Sequence, residues 1–262
     1  MTAAIRSPLT VTYAVWRALF LREAVFRLSG RRAAWLWLLL EPVFHVAFIT
    51  LFFELVRVRV TPGTDPGMFI MIGLLGFFMA RNTALRSMEA INANSALFAY
   101  RQVKPVDTVI VRAALEGFLG LIVALIMLGG AALFGIEVTP TRPLEVLLAF
   151  SGLWVAGLGL GLTLSVVGQL VREIGEIVKL LFLPLYFVSG IMFPIEFVPQ
   201  PYREWLFYNP IVHGVEIMRG GFFPHYHVMA EANLSFLLGF ALLAVFMGLA
   251  LHVRFARKII AQ

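Results

Sequence analysis

Six apolar tracts constrain what this chain can fold into more than any other feature. Each is close to the roughly 20 residues needed to cross a bilayer as a helix, and they fall near 33–56, 67–85, 108–135, 144–169, 174–193 and 233–252. Backbone in hydrocarbon must satisfy its own N–H and C=O groups, so tracts of this length form helices. The rest of the composition agrees. Hydrophobic residues make up 60% and charged residues 14%, with a mean hydropathy of +0.89, far from the roughly one-quarter charged content of soluble domains. The chain reads as an all-α integral membrane protein of six spans, forming one transmembrane domain over 1–262.

Charge orients it. Counted by alternate loops, sixteen Lys and Arg fall on the side that holds both termini, and five (Arg57, Arg59, Arg142, Arg203 and Arg219) fall on the other, which accounts for all 21. By the positive-inside rule both termini are cytoplasmic. The formal charge of +6 sits mostly beside apolar tracts, so no nucleic-acid partner is expected. The absence of cysteine excludes disulfides and thiolate metal sites.

The first 32 residues carry recurring arginines and no short apolar core ending in a cleavage site, so they read as retained. Val11, Val15, Leu19 and Phe26 share one arc of a helical wheel, with Arg22 inside it. Either this is an interfacial helix lying in the membrane plane, or it is a basic tail that only sets orientation. In the first span Glu41, Pro42 and His45 lie a short way from the basic end. A carboxylate at that depth is costly, so Glu41 either pairs with Arg31 or Arg32 or marks the mouth of a path.

Between the second and third spans, residues 87–104 form a cytoplasmic island. A helix over 87–100 would stop before Pro105, which disfavours helical geometry at Lys104. Asp107 or Thr108 can cap the third span. The island presents Glu89, Asn92, Asn94, Phe98, Tyr100 and Arg101. That polar and aromatic mixture suits a partner's groove, and an ordinary solvated loop is the alternative.

The stretch from Leu183 to Gly221 is apolar enough to enter a bilayer, yet it is broken by five prolines and carries six charged or imidazole side chains. Irregular backbone at membrane depth survives where protein or a water-filled cavity satisfies it, which indicates a short helical excursion lining a passage. His213 and Glu216 lie three apart and would be neighbours on a helix. In the fourth span Gly157 and Gly161 form a small-x-x-x-small pair, which reads as close packing or as a flexible gate.

No motor is encoded. The only lysines are Lys104, Lys179 and Lys258, and none follows a glycine, so there is no phosphate-cradling G-x-x-x-x-G-K-[ST] loop. The chain has no G-x-S-x-G or H-E-x-x-H motif and no clustered acid–base pair, and His225-Tyr-His227 lacks the company a metal needs. No enzymatic activity, cofactor or metal is expected of this chain. An ion-coupled secondary transporter would need repeat symmetry and more intramembrane carboxylates than Glu41. A membrane transferase would need convergent acid–base residues.

Several segments then resemble one family. Leu19-Phe-Leu-Arg-Glu23, Leu40-Glu-Pro42, Asn94 with Leu97-Phe98, Tyr100-Arg101, Val103-Lys-Pro105, Asp107-Thr108 and Arg112-Ala113 look like the membrane subunit of bacterial capsule-polysaccharide exporters. So do Pro184-Leu-Tyr-Phe187, Ile191-Met-Phe-Pro194, Asn209-Pro210 and Val212 to Glu216. These exporters form part of the type-2 branch of ATP-binding-cassette transporters. The tract from Gly117 to Gly168 agrees in hydrophobicity alone.

The resemblance implies an inner-membrane permease working as a homodimer with two copies of a separate ATPase, which binds the ATP and Mg. It implies a lipid-linked acidic polysaccharide as cargo and a periplasmic export adaptor as partner, with O-antigen or teichoic-acid export as the alternative cargo class. By the same resemblance the 87–104 island becomes the coupling helix and 194–232 an external re-entrant segment before the last span. Rings from Tyr186, Phe187, Phe193, Trp205 and Tyr208 either line the sugar's path or form an interfacial belt. Arg203, His213, Glu216 and Arg219 either contact an acidic glycan or pair among themselves as a structural cap.

Overall fold

A helical stretch that is apolar on every side belongs in the middle of a bundle, and Gly67 to Phe77, the first turns of Pro66–Met88, are buried all round. Seventeen of that helix's 23 residues are buried. The computed structural model describes residues 8–29, 34–56, 64–171 and 173–260. In chain order its helices are α1 (Pro8–Ser29), α2 (Ala34–Val56), α3 (Pro66–Met88), α4 (Ala90–Ala93), α5 (Pro105–Leu133), α6 (Pro143–Leu170), α7 (Ile174–Val188), α8 (Tyr202–Leu206), α9 (Pro210–Phe222) and α10 (Leu234–Ile260). Two 3-10 turns, Ser95–Ala99 and Ile195–Phe197, complete the set, and the described residues contain no strand.

The fold is all-helical, as the apolar tracts require. Among the described residues α3, α5, α6 and α10 are long and apolar enough to cross a membrane. The 23-residue α2 carries Pro42 inside it. The fifth apolar tract differs most from expectation, because α7 has 15 residues and ends at Val188 rather than 193. Its stop is local. Ser189 caps it, with its N–H on the Leu185 carbonyl at 3.0 Å, and Gly190 follows at φ +66, the left-handed position that closes helices at low steric cost for glycine.

Close backbone contacts pull α3, α6 and α10 together. A methyl group at Gly157 would stand 2.6 Å from the Ala80 carbonyl oxygen of α3, and one at Gly159 would stand 2.6 Å from the Val245 nitrogen of α10. The glycines of the fourth tract are therefore a packing seam facing two helices at once.

The helix expected over 87–100 is broken into pieces. Met88 ends α3, α4 lasts four residues, and Ser95–Ala99 is a 3-10 turn. Asn94 is the cause. Its side-chain amide donates to the Ala90 carbonyl at 2.7 Å, taking the acceptor that the next helical N–H would use, and its own N–H turns to Ile91 at 3.1 Å.

Candidate functional site

Polar residues gather at two ends of the bundle. One end holds the 89–104 segment with the C-termini of α3, α6 and α10 and the N-termini of α5 and α7. A cavity of about 920 Å³ opens there, between Glu89, Asn92 and Phe98 on one side and Gln169, Lys179 and Ile259 on the other. Glu89 pairs with Lys179 at 3.0 Å. The Gln169 amide donates to Asn92 Oδ1 at 2.6 Å. Phe98 packs on the small core of Ala90, Ile91, Val109, Leu162, Val166 and Ile259, while Tyr100 and Arg101 are exposed. Asn94 is buried and so is a structural pin rather than a surface group.

Helix α1 is stitched to this end by polar contacts the sequence did not single out. Trp16 Nε1 donates to Asp107 Oδ1 at 2.8 Å, and Arg112 meets Glu23 at 2.7 and 2.8 Å. Arg22 donates to Asn94 Oδ1. Asp107 also accepts the Lys104 N–H at 3.0 Å, so one carboxylate holds the start of α5 and the middle of α1 together. The residues of the expected apolar arc meet different surroundings. Leu19 is buried, Val11 and Val15 line a groove with Leu97 and Val103, and Phe26 is exposed. Arg22, which interrupts the arc, meets Asn94.

The opposite end is organised by α9. Asn209 begins it, accepting the Ile211 N–H at 3.0 Å, and Pro210 sits at the first turn, where its missing N–H costs nothing. Its Nδ2 also donates to Ser189 Oγ at 2.9 Å, tying α9 to the end of α7.

Arg219 is fully buried. It donates at 2.7 Å to both the Gly190 and Ile191 carbonyls, at 3.4 Å to the Phe69 carbonyl, and reaches Glu216 at 3.5 Å. Its guanidinium lies 3.4 Å from the centre of the Phe69 ring. The Tyr226 hydroxyl donates to Glu216 Oε1 at 2.8 Å; burial pushes its phenol up, and the Glu216 carboxylate adds to this.

His213 does not meet Glu216. Its Nδ1 accepts the Asn233 N–H at 2.9 Å, so Nε2 carries the proton and donates to the Phe207 carbonyl at 2.7 Å. Arg203 braces the loop before α8 through the Val198 and Glu196 carbonyls at 3.0 and 2.8 Å. Phe187, Phe197, Tyr202, Trp205 and Tyr208 are exposed. Phe193 is half-buried, and Tyr186 packs edge-on against Phe77 at 5.3 Å. Glu41 is exposed at a separate cavity between α2, α3 and α5. Arg31 and Arg32 lie outside the described residues.

An apolar bundle with four helices long enough to cross a membrane among the described residues, and with polar residues gathered at its two ends, fits a membrane transport subunit, and comparison with known proteins agrees. Residues 14–223 match the family described as ABC-2 type transporter. The polysialic acid transport protein KpsM of Escherichia coli is 36% identical over 247 residues, covering 94% of this chain and 95% of that protein. The capsule polysaccharide export inner-membrane protein BexB of Haemophilus influenzae is 27% identical, covering 98% and 97%. Its counterpart CtrC of Neisseria meningitidis serogroup A is 26% identical, covering 94% and 92%. The chain belongs to the ABC-2 type transporter family, as a membrane subunit.

Proposed function

We propose that this protein is the permease subunit of an ATP-driven exporter that moves a lipid-linked acidic capsular polysaccharide across the bacterial inner membrane. The observation that carries this reading is the end-to-end similarity to proteins named for polysialic acid transport and capsule export. Six spans place both termini in the cytoplasm, so the 89–104 end is cytoplasmic and the 190–232 end is external, as the charge asymmetry favours. Two copies assemble, since six helices enclose a polymer poorly and twelve around a two-fold axis can enclose one. ATP and Mg are held by two copies of a separate cytoplasmic ATPase, consistent with the missing phosphate loop.

Coupling falls to Glu89, Asn92, Phe98, Tyr100 and Arg101, with Asn94 holding the segment's shape and α1 lying in the interface. ATPase closure pushes this segment as a rigid body, and the spans rock in response. On the path, Phe187, Trp205 and Tyr208 offer ring faces to sugar C–H groups, with Tyr186 and Phe193 behind them. Glu41, with Arg31 and Arg32, guards the cytoplasmic mouth. His213, Glu216 and Arg219 hold the exit rim in shape, and a periplasmic adaptor receives the chain beyond it.

Co-purification tests the reading. The full-length protein, expressed with its cognate ATPase, captures it and raises its turnover, and cells lacking the permease accumulate capsular polymer inside. An active chain that captures no ATPase overturns the proposal.

A further inference from the structure

A second cavity, about 380 Å³ in volume, lies between α2, α3 and α5 toward the 89–104 end. Its polar wall is formed by Arg81, Asn82 and Arg86 of α3, Glu41 and His45 of α2, and Glu116 of α5. Its other part is lined by Val46, Leu75 and Val123, all buried and apolar. Leu75 precedes Arg86 by eleven residues, a climb of about 16 Å along a helix. The cavity therefore grades from charged near the bundle end to hydrocarbon deeper in. That gradient matches an amphiphile with a head and an acyl chain, and it does not match a small polar solute.

Arg81 gives the head group its chemistry. It is half-buried within an apolar helix, and its side chain donates to the neighbouring Asn82 Oδ1 at 3.2 Å. Among the described residues no carboxylate forms an ion pair with it. An ionisable side chain within an apolar helix is a functional-site candidate, and a second guanidinium, Arg86, lines the same wall. Planar guanidinium forks match phosphate oxygens. Glu116 already has contacts within the chain, whereas Glu41 stands exposed on the facing helix. A carboxylate there favours an ammonium and disfavours a head group with net negative charge.

We propose that this cavity binds a phospholipid of the surrounding leaflet, with its phosphate on Arg81 and Arg86 and an amine of its head group facing Glu41. The site depends on the proposed orientation only for which leaflet supplies the lipid. It does not depend on the cargo, so its failure would leave the export reading standing.

The test uses full-length protein purified from a host that makes no capsular glycan, exchanged into defined lipids, with bound lipid read by native mass spectrometry. Phosphatidylethanolamine is retained several-fold over phosphatidylglycerol. Its margin over diacylglycerol of the same chains is about tenfold, the scale of a charge-assisted hydrogen-bond pair. Inorganic phosphate does not displace it. Arg81→Gln and Arg86→Gln each reduce retention, and Glu41→Gln removes the preference for the amine while lipid still binds.

Arg86 is exposed, so Arg86→Gln remains readable even where Arg81→Gln fails to accumulate. Equal retention of diacylglycerol, displacement by inorganic phosphate, or equal or greater retention of phosphatidylglycerol by the wild type overturns the proposal. So does wild-type retention in Arg86→Gln. Lipid bound only from a host that makes the glycan would identify the occupant as the cargo's own lipid end, and this also overturns it.

Discussion

Helix α9 and the 89–104 segment both connect spans, both carry charge, and both looked from sequence like sites for a ligand or partner, yet they resolve in opposite ways. Eleven of the thirteen residues of α9 are buried, and its charges meet inside the chain. The Ser95–Ala99 turn has no buried residue, and Tyr100 and Arg101 beside it face outward. A charge in an apolar core must find internal partners or it destabilises the fold, whereas a charge at the surface stays free for another molecule. The α9 end is thus self-contained and the 89–104 end is open.

Breaking Arg219 is expected to have the largest effect. Arg219→Leu leaves Glu216 buried without its cation and strips the donor from the Gly190 and Ile191 carbonyls. Removing one partner of a buried ion pair costs about 3–5 kcal/mol. Membrane levels and thermal unfolding in detergent should both fall sharply, and Arg219→Lys should rescue little, because a compact ammonium lacks the planar fork whose separate nitrogens reach Gly190, Ile191 and Phe69. Wild-type stability in the Leu variant would show that α9 is not held by this network.

The tie between α1 and α5 comes next. Glu23 and Arg112 are 8% and 13% exposed, between the two extremes. Glu23→Gln keeps the shape and removes the charge, so the loss is about 1.5–3 kcal/mol, the worth of a hydrogen bond between charged groups. Exchanging the pair, Glu23→Arg with Arg112→Glu, should recover part of it. If the single change leaves stability and limited proteolysis of α1 untouched, α1 is held mainly by Leu19 and its neighbours.

These contrasts bear on how far the sequence could be read. The helical class and the positions of the long helices follow from apolar length alone, and the Asn209-Pro210 start of α9 is a local capping signal. Less legible was anything depending on which side chain meets which. Arg219 and the carbonyls of Gly190 and Ile191 are 29 and 28 residues apart, and Trp16 and Asp107 are 91 apart, so no periodicity brings them together. The break in the 87–100 helix was similarly hidden, because asparagine in a helix signals competition with the backbone only once its acceptor is known. His213 and Glu216 sat at helical spacing, but Phe207 and Asn233 claimed the ring first.

The smallest structural effects belong to the open end, and there the comparison becomes a test of function. The Lys179–Glu89 pair is 42% and 44% exposed, and exposed pairs contribute little net stability, so Lys179→Gln should unfold like the wild type. Tyr100→Ala and Arg101→Ala should do the same, within about 0.5 kcal/mol, as surface changes do. The two classes should part in ATPase capture: removing Tyr100 or Arg101 weakens it, because aromatic and arginine side chains carry much of an interface's binding energy. Capture by a Tyr100→Ala, Arg101→Ala double variant at wild-type strength would move the docking surface off this turn, to the cavity walled by Asn92 and Gln169. A double variant that unfolds early would mean that these exposed groups brace the fold after all, and the division into a closed end and an open end would fail.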